Sequence, residues 1–179
     1  DDPVDLLRLP SASIVSTTAP GGDAKAFARA TDGDAETATD VPATADQPLD
    51  VVFAFGDEVV SPEKVRVVVP KGAADAAGAS AGRVEVLVST LSAHAGYRSL
   101  RGDPLKAKPG PQEFSFTPAA AKWLLVRLTP APGTSAVRLA EVTVLGRPGP
   151  PVSRYAFAES PAKAFDVLAR LEKTTSMRL

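Results

Sequence analysis

Most apolar segments of this chain either alternate with polar residues or form short Val-rich runs of strand length. In Arg83-Val84-Glu85-Val86-Leu87-Val88, the residues Val84, Val86 and Val88 fall on one face. Phe114 and Phe116 alternate in the same way with Glu113 and Ser115. A period of two is the signature of half-buried antiparallel strands. The pattern predicts strands at 14–18, 49–55, 64–69, 83–90, 113–117, 122–129 and 138–145. Leu49–Phe55 and Val65–Val69 are more continuously apolar, as expected near the middle of a sheet. Turn-forming clusters lie between them: Pro20-Gly21-Gly22, the stretch Pro42–Pro48, Pro70-Lys71-Gly72 and Ala107–Pro111. Short strands separated by turn signals predict an all-β, antiparallel, jelly-roll-like sandwich rather than βαβ units.

The pattern changes after Gly146. Arg147-Pro148-Gly149-Pro150-Pro151 reads as a stiff linker. Ser160-Pro161 then reads as the N-cap and first residue of a short C-terminal α-helix over 161–173, with Ala164, Phe165, Leu168 and Leu171 on one stripe. The expected organisation is a sandwich over 1–146 and a linker plus helix over 147–179. The helix either packs back on the sandwich or leads to another domain.

Charge narrows the function classes. There are 20 Lys and Arg, 21 Asp and Glu, and a net charge of −1. Nucleic-acid binding draws its affinity from clustered cations, so this balance argues against it. No run of apolar residues is long enough to insert in a membrane. With 0 Cys there is no disulfide framework, thiolate metal site or Cys nucleophile. Aromatics are only 6%, so the core must be built from Val, Leu and Ala. The first residue is Asp1 rather than Met, which reads as a processed or engineered product.

Candidate chemistry is sparse. Gly78-Ala79-Ser80-Ala81-Gly82 spells a nucleophile elbow, but that device needs a strand before the Ser and a helix after it. Here a small-residue loop precedes Ser80 and a strand follows. His94, the sole histidine, sits in a turn and reads as solvated. Arg101-Gly102-Asp103 is an integrin-type tripeptide expected on a loop. The strongest local signal is Asp32-Gly33-Asp34 with Thr37 three residues on. It offers carboxylate, hydroxyl and carbonyl oxygens about a tight turn, the donor mix of hard cations such as calcium. The same residues also make an ordinary Asx turn. Without a nucleophile–base pair, paired catalytic carboxylates or a phosphate loop, the chain does not read as an enzyme.

Four stretches, taken in order, resemble a known family: Ala30-Thr31-Asp32-Gly33-Asp34 through Thr37; Pro48-Leu49-Asp50-Val51-Val52-Phe53 through Val60; Val84-Glu85-Val86-Leu87-Val88-Ser89-Thr90 ending near Tyr97; and Trp123 through Leu128 followed by Leu139-Ala140-Glu141-Val142-Thr143-Val144-Leu145-Gly146. Over roughly residues 11–146 they are similar to the discoidin domain of coagulation factors and to the family-32 carbohydrate-binding modules, both galactose-binding-like domains. The resemblance implies a jelly-roll-like sandwich with one structural calcium held by Asp32, Asp34, Thr37 and, from the last strand, Glu141. It also implies a ligand bound by loops at one end, here 18–24, 38–47 and 70–82. None of these loops carries Trp, Tyr or Phe, and Ala38-Thr39 stand where the family usually has a Trp. Tyr97 and Trp123 read instead as core aromatics.

Loops this poor in aromatics favour a protein-interaction or architectural module of a larger cell-surface or secreted protein. Its partner would be another protein or other domains of the parent chain. The alternative is a glycan-binding accessory module of an extracytoplasmic carbohydrate-active or adhesion protein.

Overall fold

A computed structural model describes residues 2–19, 24–70, 81–106 and 108–151. Among the described residues eleven strands follow one another: β1 (Val4–Asp5), β2 (Ser13–Thr17), β3 (Thr39–Pro42), β4 (Leu49–Ala54), β5 (Val60–Val69), β6 (Ala81–Ser89), β7 (Arg98–Pro104), β8 (Gly110–Ser115), β9 (Trp123–Pro130), β10 (Ala136–Leu139) and β11 (Glu141–Pro148). They build a five-stranded sheet in the order β2-β4-β9-β6-β7, a four-stranded sheet β1-β11-β5-β8, and a small pair β10-β3. Every pairing is antiparallel.

Alternation decides which side chains meet between the sheets. From β4, β9 and β6, Val51, Phe53, Leu124, Val126, Val84 and Val86 point inward. Val65 and Val67 of β5 and Val142 and Val144 of β11 face them from the other sheet. All belong to one buried cluster, and each fully buried Val or Leu contributes roughly 1.5–3 kcal/mol. The two most continuously apolar strands, β4 and β5, have neighbours on both sides, as their composition predicts.

Several sequence expectations need correction. Three strands were not foreseen. β1 is two residues long, β3 lies in a stretch read as loop, and β7 carries Arg98, Arg101 and Asp103, with no apolar alternation to announce it. The last predicted strand is two strands, broken at Ala140. A five-residue helix, α1 (Ala24–Ala28), was also missed; its Phe27 is fully buried and sits 6.0 Å from Phe53 in a tilted ring contact. Trp123 is not a core aromatic. Its neighbour Leu124 takes the inward position, so Trp123 lies on the outer face, across from Ala54 and Ser89. Tyr97 is half-buried outside the core cluster and donates its hydroxyl to the Ala93 carbonyl at 3.0 Å. The predicted C-terminal helix lies outside the described residues.

Candidate functional site

The Asp32–Thr37 turn is built from local hydrogen bonds. The Asp34 N–H donates to Asp32 Oδ1 at 2.8 Å and the Glu36 N–H to Asp34 Oδ1 at 2.9 Å, two successive Asx turns. Thr37 closes the loop by donating its hydroxyl to the Asp34 carbonyl at 3.0 Å. Gly33 at the apex has φ +88°, and the Arg8 guanidinium lies where a Cβ would stand. The backbone conformation is what requires glycine, since a Cβ would displace only the tip of the exposed Arg8 side chain.

Glu141 reaches this turn from the far end of the sequence. It opens β11 beside Ala140, whose N–H donates to the Val68 carbonyl at 3.0 Å, and this register points the Glu141 carboxyl back at the turn. Its Oε2 accepts the Gly33 N–H at 3.2 Å. The side chain does not face solvent, for Glu141 is only 6% exposed. Burial pushes its carboxyl up to about 7. The Gly33 N–H opposes that shift, the charges of Asp32 and Asp5 add to it, and Arg8 pulls it back. The four sequence-predicted residues are thus joined through Asp32-Gly33-Asp34, with Glu141 as the buried member.

The donor set is all oxygen, as a hard cation requires. Asp32, Asp34 and Glu141 each use one oxygen on a backbone N–H and keep the other. Among the described residues no three acidic or histidine side chains converge on one point. A cation here would therefore draw on carbonyl and hydroxyl oxygens beside the carboxylates.

The structure places two of the remaining motifs. Ser80 lies outside the described residues. His94 is exposed in the β6–β7 turn, where its N–H donates to Ser92 Oγ at 3.2 Å. That turn is organised by buried Ser89, which donates to the Ala95 carbonyl at 2.7 Å and accepts from Leu91 N–H at 3.1 Å. Arg101-Gly102-Asp103 is not a loop but the middle of β7. Arg101 pairs with Asp103 inside the motif, and the Arg83 guanidinium packs over Gly102.

One end of the sandwich gathers the loops. Thr18 Oγ1 donates to the Pro48 carbonyl at 2.9 Å, Ala43 N–H donates to the Ser135 carbonyl at 3.1 Å, and Gly82 packs against the Ala131 backbone. Across the β10-β3 pair, Arg138 forms a two-pronged ion pair with Asp40, which holds that carboxyl below the usual range. Along the open side, where the edge strands β7 and β8 meet, lies a cleft of about 380 Å³ lined by Arg98, Arg101, Phe116 and Pro118 among others. Sequence reading missed it because β7 was not recognised as a strand.

No protein-family model matches the chain, and no curated protein matches it. Solved structures do. A family-32 carbohydrate-binding module from a family 31 glycoside hydrolase of Clostridium perfringens is 15% identical, with a TM-score of 0.57 over 76% of this chain and 92% of its own. The C-terminal domain of a chitobiase from Bacteroides fragilis is 16% identical, with a TM-score of 0.59 over 82% and 99%. The family-32 module of C. perfringens NanJ, solved in complex with galactose, is 15% identical, with a TM-score of 0.53 over 75% and 91%. The chain has the galactose-binding-like β-sandwich fold of the family-32 carbohydrate-binding modules.

Proposed function

We propose that this chain is a non-catalytic glycan-binding module of a larger extracytoplasmic protein. The observation that carries the reading is the likeness of nearly the whole described sandwich to isolated sugar-binding modules, several solved with sugars such as galactose or GalNAc. It favours glycan binding over the protein-interaction reading that the aromatic-poor loops suggested. The same likeness supports the non-catalytic part, and the place of Arg101-Gly102-Asp103 within β7 rather than on a loop weighs against its use as a protein-recognition motif. Affinity electrophoresis through gels containing soluble glycans tests it. Retardation by at least one glycan is expected; unchanged mobility in all of them contradicts it.

We further propose that Asp32, Asp34, Thr37 and Glu141 hold a structural calcium ion. A buried carboxyl whose charge is opposed by Asp32 and Asp5 and offset only in part by Arg8 supports this. The ion would supply charge compensation and fasten the turn to β11, with no chemistry of its own. If calcium binds only the folded chain, a concentration 100-fold over Kd adds about 2.7 kcal/mol. For a domain of this size that raises Tm by roughly 5–10 °C. Glu141→Gln keeps an acceptor for the Gly33 N–H but removes the charge, so it should abolish the shift. Equal Tm in calcium and in chelator would contradict the site.

A further inference from the structure

We propose that the cleft between the free edges of β7 and β8 is a subsite for a carboxylate-bearing sugar, a uronic acid residue within a glycan chain. The proposal rests on the glycan-binding reading and gives it a sugar class and a place.

The cleft combines the two things a sugar ring needs. Part of its lining is apolar: Leu100 and Phe116 are half-buried and packed against the core, and Pro118 lines the cleft with them. A pyranose presents a C–H face that stacks on such a surface. Among the described residues, the loop end offers no aromatic side chain for this purpose. The walls are donors. Arg101 is held by Asp103 and by a 2.9 Å hydrogen bond to the Ser115 carbonyl, which ties the β7 edge to β8 and fixes the guanidinium. The side chain of Arg98, on the same strand, is exposed and makes no hydrogen bond or ion pair among the described residues.

Charge selects the ligand. Around the cleft, Lys64 pairs with Glu113 at 3.2 Å, Arg147 with Glu63 at 2.9 Å, and Arg101 with Asp103. Arg66 leans on the same Glu113 at 3.9 Å, and Arg98 has no acidic partner among the described residues, so the surplus charge here is positive. A guanidinium is weakly hydrated, planar and forked, and it matches a carboxylate with two parallel hydrogen bonds. A neutral sugar would leave that match unused. Size agrees: about 380 Å³ lies within the roughly 300–1,000 Å³ of ligand clefts. An adjoining hollow of about 240 Å³ shares Phe116 and Pro118 with it, giving room for the next residue of a chain.

The test is calorimetric titration of the full chain with tetragalacturonate and with its methyl ester, a neutral counterpart that keeps the ring faces and hydroxyls. Tetragalacturonate should bind, more weakly as salt rises. The ester should bind at least about tenfold less tightly, the worth of one charge-assisted pair. Arg98→Gln, at an exposed position that does not threaten folding, should lose about the same. Phe116→Leu keeps an apolar side chain against the core but removes the ring, and should also weaken binding. Equal affinity for acid and ester, or an unchanged Arg98→Gln, overturns the subsite and leaves the glycan-binding reading standing. So does binding of neutral glycans with none of the acid. Failure to bind any glycan overturns both.

Discussion

Gly33 shows how much one residue can fix. Its positive φ shapes the Asp32–Thr37 turn, its N–H anchors Glu141, and its missing Cβ makes room for Arg8. Gly33→Ala should therefore destabilise by about 1–3 kcal/mol, read from urea unfolding. Adding Arg8→Ala should recover only the steric part, because the backbone strain remains; full recovery would show that φ is not the constraint. Tyr97 gives a second residue-scale outcome. Burial pushes its hydroxyl up to about 12 from 10.0. The folded chain thus keeps a proton that the unfolded chain gives up, so Tyr97's contribution is complete below pH 10 and falls away as pH rises toward 12. In a Tyr155→Phe variant, Tyr97 is the remaining tyrosine of the 2, and its phenolate absorbance should titrate near 12 in the folded state. Titration near 10 would place the ring in water.

Among the elements, β11 carries the most varied load. It pairs with β1 and β5, its Glu141 reaches the turn, and Val142 and Val144 enter the core. Pairing with β5 runs through Pro148, beyond the expected boundary at Gly146. Gly149 N–H then donates to the Val59 carbonyl at 2.7 Å, and Ser61 Oγ donates to the Gly149 carbonyl at 2.6 Å. A chain cut after Pro151 should keep a cooperative thermal transition. One cut after Gly146 removes these contacts and should melt lower, by several °C for each of the two hydrogen bonds of about 1 kcal/mol. Identical melting of the two would show that the sheet ends earlier.

At the scale of the molecule, alternation in β6, β8 and β9 and the dense runs of β4 and β5 made the sandwich legible, because each core-facing position repeats every second residue. Asp32-Gly33-Asp34 was legible as a turn for its Asx chemistry, and Glu141 as its partner through the family resemblance; the structure adds the hydrogen bond to Gly33 that joins them. The β7–β8 cleft was not legible. Edge strands need satisfy only one neighbour, and β7 sets Arg98, Arg101 and Asp103 opposite the core valines Val88, Val86 and Val84 at the open edge of the sandwich, so its sequence looks like loop. Trp123 misled for a related reason: a large aromatic next to Leu124 and Leu125 suggests the core, but strand parity allows only one of two neighbours inside.

The most direct test of the account is a panel of immobilised glycans, neutral and uronate-containing, probed with the full chain at increasing concentration, with the eluted glycans then checked for length. The account predicts saturable retention on at least one glycan and no shortening of any. A flat response across the panel would contradict the binding reading, and the appearance of shorter fragments would contradict the non-catalytic one.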